Sequence, residues 1–276
     1  MPPVTVGLSL IIFIAGIFAG ALGALLGLGG GIFLVPFLNL GLNFPITAAA
    51  AISLTTVIAT SSSVSAARAG KQLINIKLGM LLEVATAAGG LFGGVTAQLL
   101  AQSTLQRLFG VVAMLVAIIM FSRVQRRNVI REAGVDPGVL GGRFHEAESG
   151  GIVTYRVKRM PLAIVASFVA GNVSSLLGIG GGIIKVPVLN AWCGVPMRAA
   201  AATSAFMIGV TATPGAIIYY GRGQLIPGLA AAAVLGVQLG SWRALRLAPK
   251  VPAKWLKLLM AIVLGIVAIL MFVRPR

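Results

Sequence analysis

Two glycine-rich stretches contain the residues of this sequence whose types and spacing best suit a ligand site. Residues 27–31 read Gly-Leu-Gly-Gly-Gly and lead into Ile-Phe-Leu-Val-Pro36, and residues 178–182 read Gly-Ile-Gly-Gly-Gly and lead into Ile-Ile-Lys-Val-Pro187. Both lie in hydrophobic sequence, where glycine weakens a helix and leaves backbone groups that lipid cannot hydrogen-bond. Because this costly feature occurs in both halves, at an offset of 151 residues that relates Gly29 to Gly180, we interpret it as a site.

The chemistry that such stretches favour is anion binding by backbone N–H groups. The first N–H groups of a helix have no partner within the helix, and they lie at its positive dipole end. We therefore expect two corresponding sets of N–H groups to bind an anion: Gly29, Gly30, Gly31 and Ile32, and Gly180, Gly181, Gly182 and Ile183. Close helix packing is the alternative, but packing requires neither three adjacent glycines nor the proline that follows both stretches.

Two ionisable residues lie within hydrophobic sequence. Lys185 follows the second glycine stretch, and its counterpart at the repeat offset is Leu34. A cation inside a membrane span is costly and by default functional, although a lysine can also extend its ammonium group to the interface. Glu83 is the one acid outside residues 122–159 and corresponds to Val234 at the same offset. We interpret Glu83 as a proton-coupling carboxylate, with a position near the cytoplasmic surface and a pairing with a lysine as the alternatives.

Several polar residues also match between the halves. Ser53 corresponds to Ser204 and Thr60 to Thr211, so these hydroxyls are candidates for lining a polar path, with Ser53 and Ser204 assigned to the binding site. Asn39 and Asn190 are also equivalent, and they are expected to close the short segments that follow the glycines. The sequence contains no cluster of metal ligands, no nucleophile–base set and no sign of a cofactor, so we expect no enzyme.

Composition identifies the elements that must position these residues. The chain has 276 residues, of which 58% are hydrophobic and 10% charged, and its mean hydropathy is +1.01. A soluble core of this length cannot bury so much apolar surface, so we predict an all-α, multi-span membrane protein. The net charge of +17 does not indicate a nucleic-acid partner, because the cations cluster between the hydrophobic runs.

Hydrophobic runs divide the chain into two membrane repeats, at 1–121 and 160–276, joined by a charged linker at 122–159. Each repeat is predicted to contain a glycine-broken helical hairpin and three further transmembrane helices. We expect the linker to be cytoplasmic and partly flexible around Asp136-Pro-Gly and Gly141-Gly142. The predicted helices cover 5–26, 30–41, 46–67, 78–100, 104–121, 160–177, 197–220, 225–243 and 255–272, and a short piece runs from the second glycine stretch to Asn190.

The distribution of cations favours inverted rather than parallel repeats. If each glycine segment returns to its own side, each repeat crosses the membrane three further times, and 17 of the 22 Lys and Arg residues lie on the linker side. That asymmetry agrees with the positive-inside rule. Inverted repeats that each contain a broken helix are typical of secondary transporters, in which the two breaks meet near the bilayer midplane.

At these residues the sequence resembles the TauE/SafE family, also called the sulfite exporter or toluene sulfonate uptake permease family. The resemblance lies in GLGGGIFLVPFL and GIGGGIIKVPVLN, each followed by an Ala-rich helix opening, TAAAAISL and RAAAATSAF. It covers both membrane repeats but not the linker. It implies secondary transport, with export as the expected direction, of small sulfur-containing anions such as sulfite or organosulfonates across a prokaryotic cytoplasmic membrane.

Two other functions are compatible with the sequence. One is a transporter or channel for another small ion, although a cation site would be expected to place carboxylates in both halves. The other is a membrane subunit that supports a partner enzyme through the basic linker. The expected partners are a small anion and the lipid bilayer, and the sequence leaves a homo-oligomer open.

Overall fold

The computed structural model describes residues 5–26, 29–68, 73–122, 136–146, 151–247 and 253–273. Within these ranges the chain forms helices and one antiparallel β-hairpin, in which Arg143 pairs with Thr154. The elements in chain order are α1 (Val6–Leu26), α2 (Gly31–Pro36), α3 (Ile46–Arg68), α4 (Ile76–Leu99), α5 (Gln102–Ser122), β1 (Gly142–Glu146), β2 (Gly151–Tyr155), α6 (Met160–Leu177), α7 (Gly182–Ala191), α8 (Met197–Gly221), α9 (Pro227–Leu247) and α10 (Ala253–Val273).

The helix order agrees with the prediction in both halves. Each half has a long helix, a short helix after the glycines and three more long helices. Pro36 ends α2, and the next five residues, Phe37–Gly41, continue as a wider π-helix. The asparagines predicted to close the short segments do so: Asn39 Nδ2 donates to Phe44 O at 2.8 Å, and Asn190 Nδ2 donates to Val195 O at 3.0 Å.

Six described helices are long and apolar enough to cross a membrane: α1, α3, α4, α6, α8 and α9. Helices α5 and α10 contribute the shorter apolar stretches Gln102–Ile118 and Leu264–Val273. Large apolar side chains cover the outer faces, and Val84 and Leu99 on α4 are 74% and 80% exposed. Such a surface is stable when lipid covers it, so the chain is a multi-pass membrane protein.

The two halves pack against each other through pairs of helices, one from each half. Helix α1 packs on α9 and α4 packs on α6, while α3 packs on α8 and α5 on α10. Glycines permit the first two contacts, because a Cβ on Gly89 or Gly93 would overlap the α6 backbone and one on Gly236 or Gly240 would overlap α1. Gly89 corresponds to Gly236, and Gly93 to Gly240, at an offset of 147. In this helix, therefore, the repeat counterpart of Glu83 is Ala230 rather than Val234.

Helices α3 and α8 run antiparallel at the centre of the molecule. Ser61 Oγ donates to Ala205 O at 2.6 Å, whereas Leu54, two turns earlier on α3, lies against Gly215, further along α8. By contrast, α4 runs parallel to α8, because Gly79 contacts Met207 and Gly94 contacts Ile218. Equivalent helices of the two halves therefore point in opposite directions at this contact.

The linker contains more structure than the sequence predicts. Gly141 and Gly142 lead into strand β1, and the hairpin buries Phe144, Val153 and Tyr155 against α4 and the segment that follows α7. Phe144, Val153 and Tyr155 share the buried face of the hairpin, and the paired residues Arg143 and Thr154 point to the other face, as expected for strands with one buried side. The expectation of an all-α chain is therefore wrong for this part of the linker, and the flexibility expected around Gly141 and Gly142 stays a prediction. Residues 123–135 and 147–150 lie outside the described ranges.

Candidate functional site

The glycine stretches interrupt the helices in both halves. Helix α1 ends at Leu26 and α2 begins at Gly31, while α6 ends at Leu177 and α7 begins at Gly182. The equivalent residues Gly29 and Gly180 have φ values of +75° and +90°, a conformation that glycine adopts without the cost that a Cβ would add. Residues 27 and 28 lie outside the described residues.

The two breaks are in contact with each other. A Cβ on Gly31 would overlap the carbonyl oxygen of Gly178, so the two backbones meet directly. Ser53 joins them further, because its Oγ donates to Gly178 O at 2.6 Å. Ser53 therefore connects the second glycine stretch to α3 of the first half.

The equivalent serine of the second half is unpaired among the described residues. Ser204 is fully buried, and its Oγ has no hydrogen-bond partner within them. The counterpart of Gly178 in the first half is Gly27, which lies outside the described residues. Ser204 is thus a buried hydroxyl on α8, the helix that packs on α3 of the first half.

Lys185 and Glu83 meet at Thr211. Lys185 is 2% exposed, and its Nζ donates to Thr211 Oγ1 at 2.7 Å. Thr211 Oγ1 lies 2.9 Å from Glu83 Oε1 and 2.9 Å from the carbonyl oxygen of Met207. Since a hydroxyl has one proton, Thr211 donates to only one of these acceptors at a time. The ammonium group of Lys185 thus points into the protein, towards α8 and α4.

Other buried hydroxyls lie on the α6 side of this cluster. Ser174 and Ser175 are fully buried and have no hydrogen-bond partner among the described residues. Ser174 lies beside Gly181, and Ser175 lies between Gly90 and Gly215. Glu83 Oε2 is likewise buried and unpartnered within the described part of the chain. Buried polar atoms without partners are costly, so this region has spare capacity to hydrogen-bond a polar ligand.

The equivalent region of the first half is less polar. Leu34 is buried in the position of Lys185, and Thr60 Oγ1 donates to the carbonyl oxygen of Thr56 in its own helix. A small cavity lies beside Gly29 and is bordered by Thr60, Ser61 and Ile208. The charge asymmetry seen in the sequence therefore persists in the folded protein.

Some backbone N–H groups around the second glycine stretch donate hydrogen bonds within the protein. Gly182 N–H donates to Gly180 O at 2.8 Å, so this predicted donor is used within the break. Beyond Ile183, the N–H groups of Ile184 and Lys185 donate to Gly181 O at 3.3 Å. The glycine positions from 29 to 31 and from 180 to 182 are all buried.

The sequence marks Thr211 only as the repeat partner of Thr60, and it does not single out Ser174 or Ser175. Thr211 meets Lys185, Ser174 lies beside Gly181 and Ser175 lies beside Gly215 because of how α6, α7 and α8 pack together. One signal was present in the sequence, since adjacent serines in an apolar helix are polar groups that need partners. Matching the two repeats does not identify these serines, because Ser174 corresponds to Gly23 and Ser175 to Ala24 at the offset of 151.

Comparison with known proteins agrees with this architecture. Residues 12–271 match the family described as sulfite exporter TauE/SafE. The chain is 27% identical over 261 residues to the probable membrane transporter protein YunE of Bacillus subtilis, covering 92% of this chain and 93% of YunE. It is 24% identical over 277 residues to the probable membrane transporter protein MJ0441 of Methanocaldococcus jannaschii, covering 95% of this chain and 94% of that protein. No solved structure matches the chain significantly. With a family match across nearly the whole sequence and two broken helices that meet inside an apolar bundle, this chain belongs to the TauE/SafE family of membrane transporters.

Proposed function

We propose that the protein is a secondary transporter that exports small sulfur-containing anions, such as sulfite or organosulfonates, through the region between its two glycine breaks. The observation that carries this proposal is the burial of the Lys185 ammonium group beside the second break. A buried cation of this kind is retained at a cost and needs a negative partner. Sulfite and sulfonates provide negative oxygens that accept hydrogen bonds from an ammonium group, hydroxyls and backbone N–H groups.

The position of the Glu83 carboxylate supports a mechanism in which the substrate anion and Glu83 alternate as the negative partner of Lys185. Without substrate, Glu83 supplies the negative charge near the ammonium group through Thr211. An arriving anion replaces this carboxylate as the partner of Lys185, and Thr211 then donates to Met207 O, which lies 2.9 Å away. Glu83 can bind a proton in that state, so its position suits the coupling role predicted from the sequence.

We further propose that the halves are inverted repeats that give alternating access to the site. The antiparallel contact of α3 with α8 supports this arrangement. The charges support it as well, because Arg68, Lys77 and Arg246 lie at the end of the bundle that carries the hairpin. Arg222 follows the opposite end of α8. The positive-inside rule then assigns the hairpin end to the cytoplasm.

Flux of labelled sulfite in proteoliposomes tests the function. Purified full-length protein should accelerate sulfite movement down its gradient, and unlabelled sulfite and organosulfonates should compete with it. Chloride and a monovalent cation serve as specificity controls. Sulfite flux no faster than in protein-free vesicles, measured in both directions and with a pH gradient of either sign, would contradict the proposal.

A further inference from the structure

A second polar region lies at the hairpin end of the bundle. A cavity of about 830 Å³ is bordered there by the end of α3, the start of α4 and the β-hairpin. We call this cavity the basic vestibule. The lining residues that matter for its chemistry are Arg68, Asn75, Lys77, Arg143, Tyr155 and Phe206.

The basic vestibule is built to attract negative charge. Its three cations, Arg68, Lys77 and Arg143, come from three separate segments of the chain, and none of the described residues that line it is acidic. Arg68 Nη1 is buried and has no hydrogen-bond partner among the described residues. Like-charged groups repel one another, so their convergence without a described acid is costly until an anion binds between them.

Neutral groups in the vestibule are held in place by the hairpin. Asn75 accepts a hydrogen bond from Leu78 N–H and caps α4, while its Nδ2 donates to Leu140 O at 2.8 Å and to the Tyr155 hydroxyl at 3.2 Å. The Tyr155 oxygen therefore acts as an acceptor, and its own proton is left to donate to a ligand. Burial raises the pKa of Tyr155, so the hydroxyl keeps this proton at neutral pH.

The floor of the vestibule lies close to the Lys185 cluster. Phe206 lines the vestibule, and it contacts Gly79 on α4 together with Met207. Glu83 follows Gly79 by about one turn, and Thr211 follows Met207 by about one turn. Since α4 and α8 run parallel, both residues lie about one turn beyond the floor. Along α4, Phe206 therefore contacts a level that lies between Lys77 of the vestibule and Glu83 of the Lys185–Thr211–Glu83 cluster.

We propose that the basic vestibule is a second anion-binding site, which collects the oxoanion substrate on the hairpin side before it passes Phe206 to reach Lys185. This inference rests on the proposed function and adds an access route to it. The ligand chemistry is that of a small oxoanion held by two guanidinium groups and a hydroxyl. An anionic lipid headgroup shares this chemistry, and the experiments below separate the two sources.

Transport kinetics provide the first test. The double variant Arg68→Gln/Arg143→Gln should raise the KM for sulfite supplied on the hairpin side about tenfold at low ionic strength, with the maximal rate within about twofold of the wild type. The rise should shrink at high salt, because ions screen solvent-accessible charges. The KM for sulfite supplied on the opposite side should not change. The matched control is Arg107→Gln, because Arg107 is an exposed arginine near the start of α5. If Arg68→Gln does not fold, the double variant Lys77→Gln/Arg143→Gln takes its place.

A thiol-labelling experiment tests the vestibule without any transport. Ser65 lines the vestibule, so Ser65→Cys, in a Cys193→Ala background, can be modified by a sulfonate-bearing or a trimethylammonium-bearing methanethiosulfonate reagent. The ratio of the anionic to the cationic rate should fall at least fivefold when Arg68→Gln/Arg143→Gln is added, and it should not change with Arg107→Gln. Sulfite should slow modification by the anionic reagent only when both arginines are present.

The outcomes separate this inference from the proposed function. Absence of sulfite flux together with the expected labelling ratios would contradict the transport proposal and leave the anion site supported. A labelling ratio that does not respond to the arginines would contradict an anion site in the vestibule, and an unchanged KM would contradict its role in collecting the substrate. If the arginine variants keep the sulfite KM but abolish a dependence of flux on phosphatidylglycerol in the vesicles, the site binds a lipid headgroup, and the substrate route is wrong.

Discussion

Lys185 and Glu83 hydrogen-bond to the same hydroxyl, that of Thr211, at 2.7 Å and 2.9 Å. Lys185 comes from the short helix α7 of the second half, and Glu83 comes from α4 of the first half. The one buried cation assigned to the site and the one acid assigned to the membrane region are thereby linked across the interface between the halves. Any movement of the halves against each other that separates α4 from α8 also separates Glu83 from Lys185.

Removing the Lys185 charge should abolish most of the transport. Lys185→Met keeps the length of the side chain and removes its charge, and truncating one partner of a buried charged pair costs about 2–5 kcal/mol. We therefore expect sulfite flux to fall at least about thirtyfold. Lys158→Met, at an exposed lysine of the linker, should retain flux close to that of the wild type. Equal flux in the two variants would remove Lys185 from the mechanism.

Charge pairing between Glu83 and Lys185 should appear in a double-mutant cycle of thermal stability. Each single variant, Lys185→Met or Glu83→Leu, leaves one buried charge uncompensated, which is expected to cost about 3–5 kcal/mol. The double variant replaces the pair with apolar residues of similar size, so it should recover most of the lost Tm. It should still transport no sulfite. Additive losses of Tm would mean that the two charges do not stabilise each other.

Glu83→Gln should uncouple anion binding from transport. The amide keeps the shape of the side chain but no longer provides a negative charge that competes with the substrate for Lys185. We expect sulfite to bind several-fold more tightly in a direct binding assay with the detergent-solubilised protein, and we expect the maximal flux to fall because release is slower. Weaker sulfite binding in Glu83→Gln would instead indicate that the carboxylate positions Lys185 for the anion.

Thr211 and Thr60 should respond differently to loss of the hydroxyl. Thr211→Val removes the group that links Lys185 with Glu83 and should reduce sulfite flux at least about tenfold. Thr60 occupies the equivalent position and bonds only to Thr56 O among the described residues, so Thr60→Val should reduce flux no more than about twofold. Similar losses in both variants would indicate a general packing effect.

The contact between the glycine breaks should tolerate no added side chain. In Gly31→Ala the new methyl group would overlap Gly178 O and Ser53 Oγ, and overpacking of this kind typically costs about 1–3 kcal/mol. We expect a lower Tm and loss of flux. Gly265→Ala is the matched control, because nothing lies within 4 Å of its Cβ position. A Gly31→Ala protein with wild-type Tm and flux would show that the close approach is dispensable.

The sequence by itself determined the class of the protein, the positions of the helix breaks and the inequality of the two halves. Composition requires a lipid-covered helical bundle, the repeated runs of three adjacent glycines followed by a proline mark the breaks, and the Lys185–Leu34 mismatch follows from the duplication alone. These are local or compositional properties, so they can be read without knowing which segments are neighbours.

Only the tertiary structure decided that Glu83 meets Thr211, that Ser53 bonds to Gly178, and that a β-hairpin covers the start of α4. The partners in the first two contacts are 128 and 125 residues apart in the chain, and hydrophobic periodicity contains no information about such pairings. The hairpin is stabilised by burying Phe144 and Tyr155 against helices that precede and follow it, so a polar linker sequence gives little local sign of it. The vestibule has the same origin, because its three cations converge only when α3, α4 and the hairpin pack together.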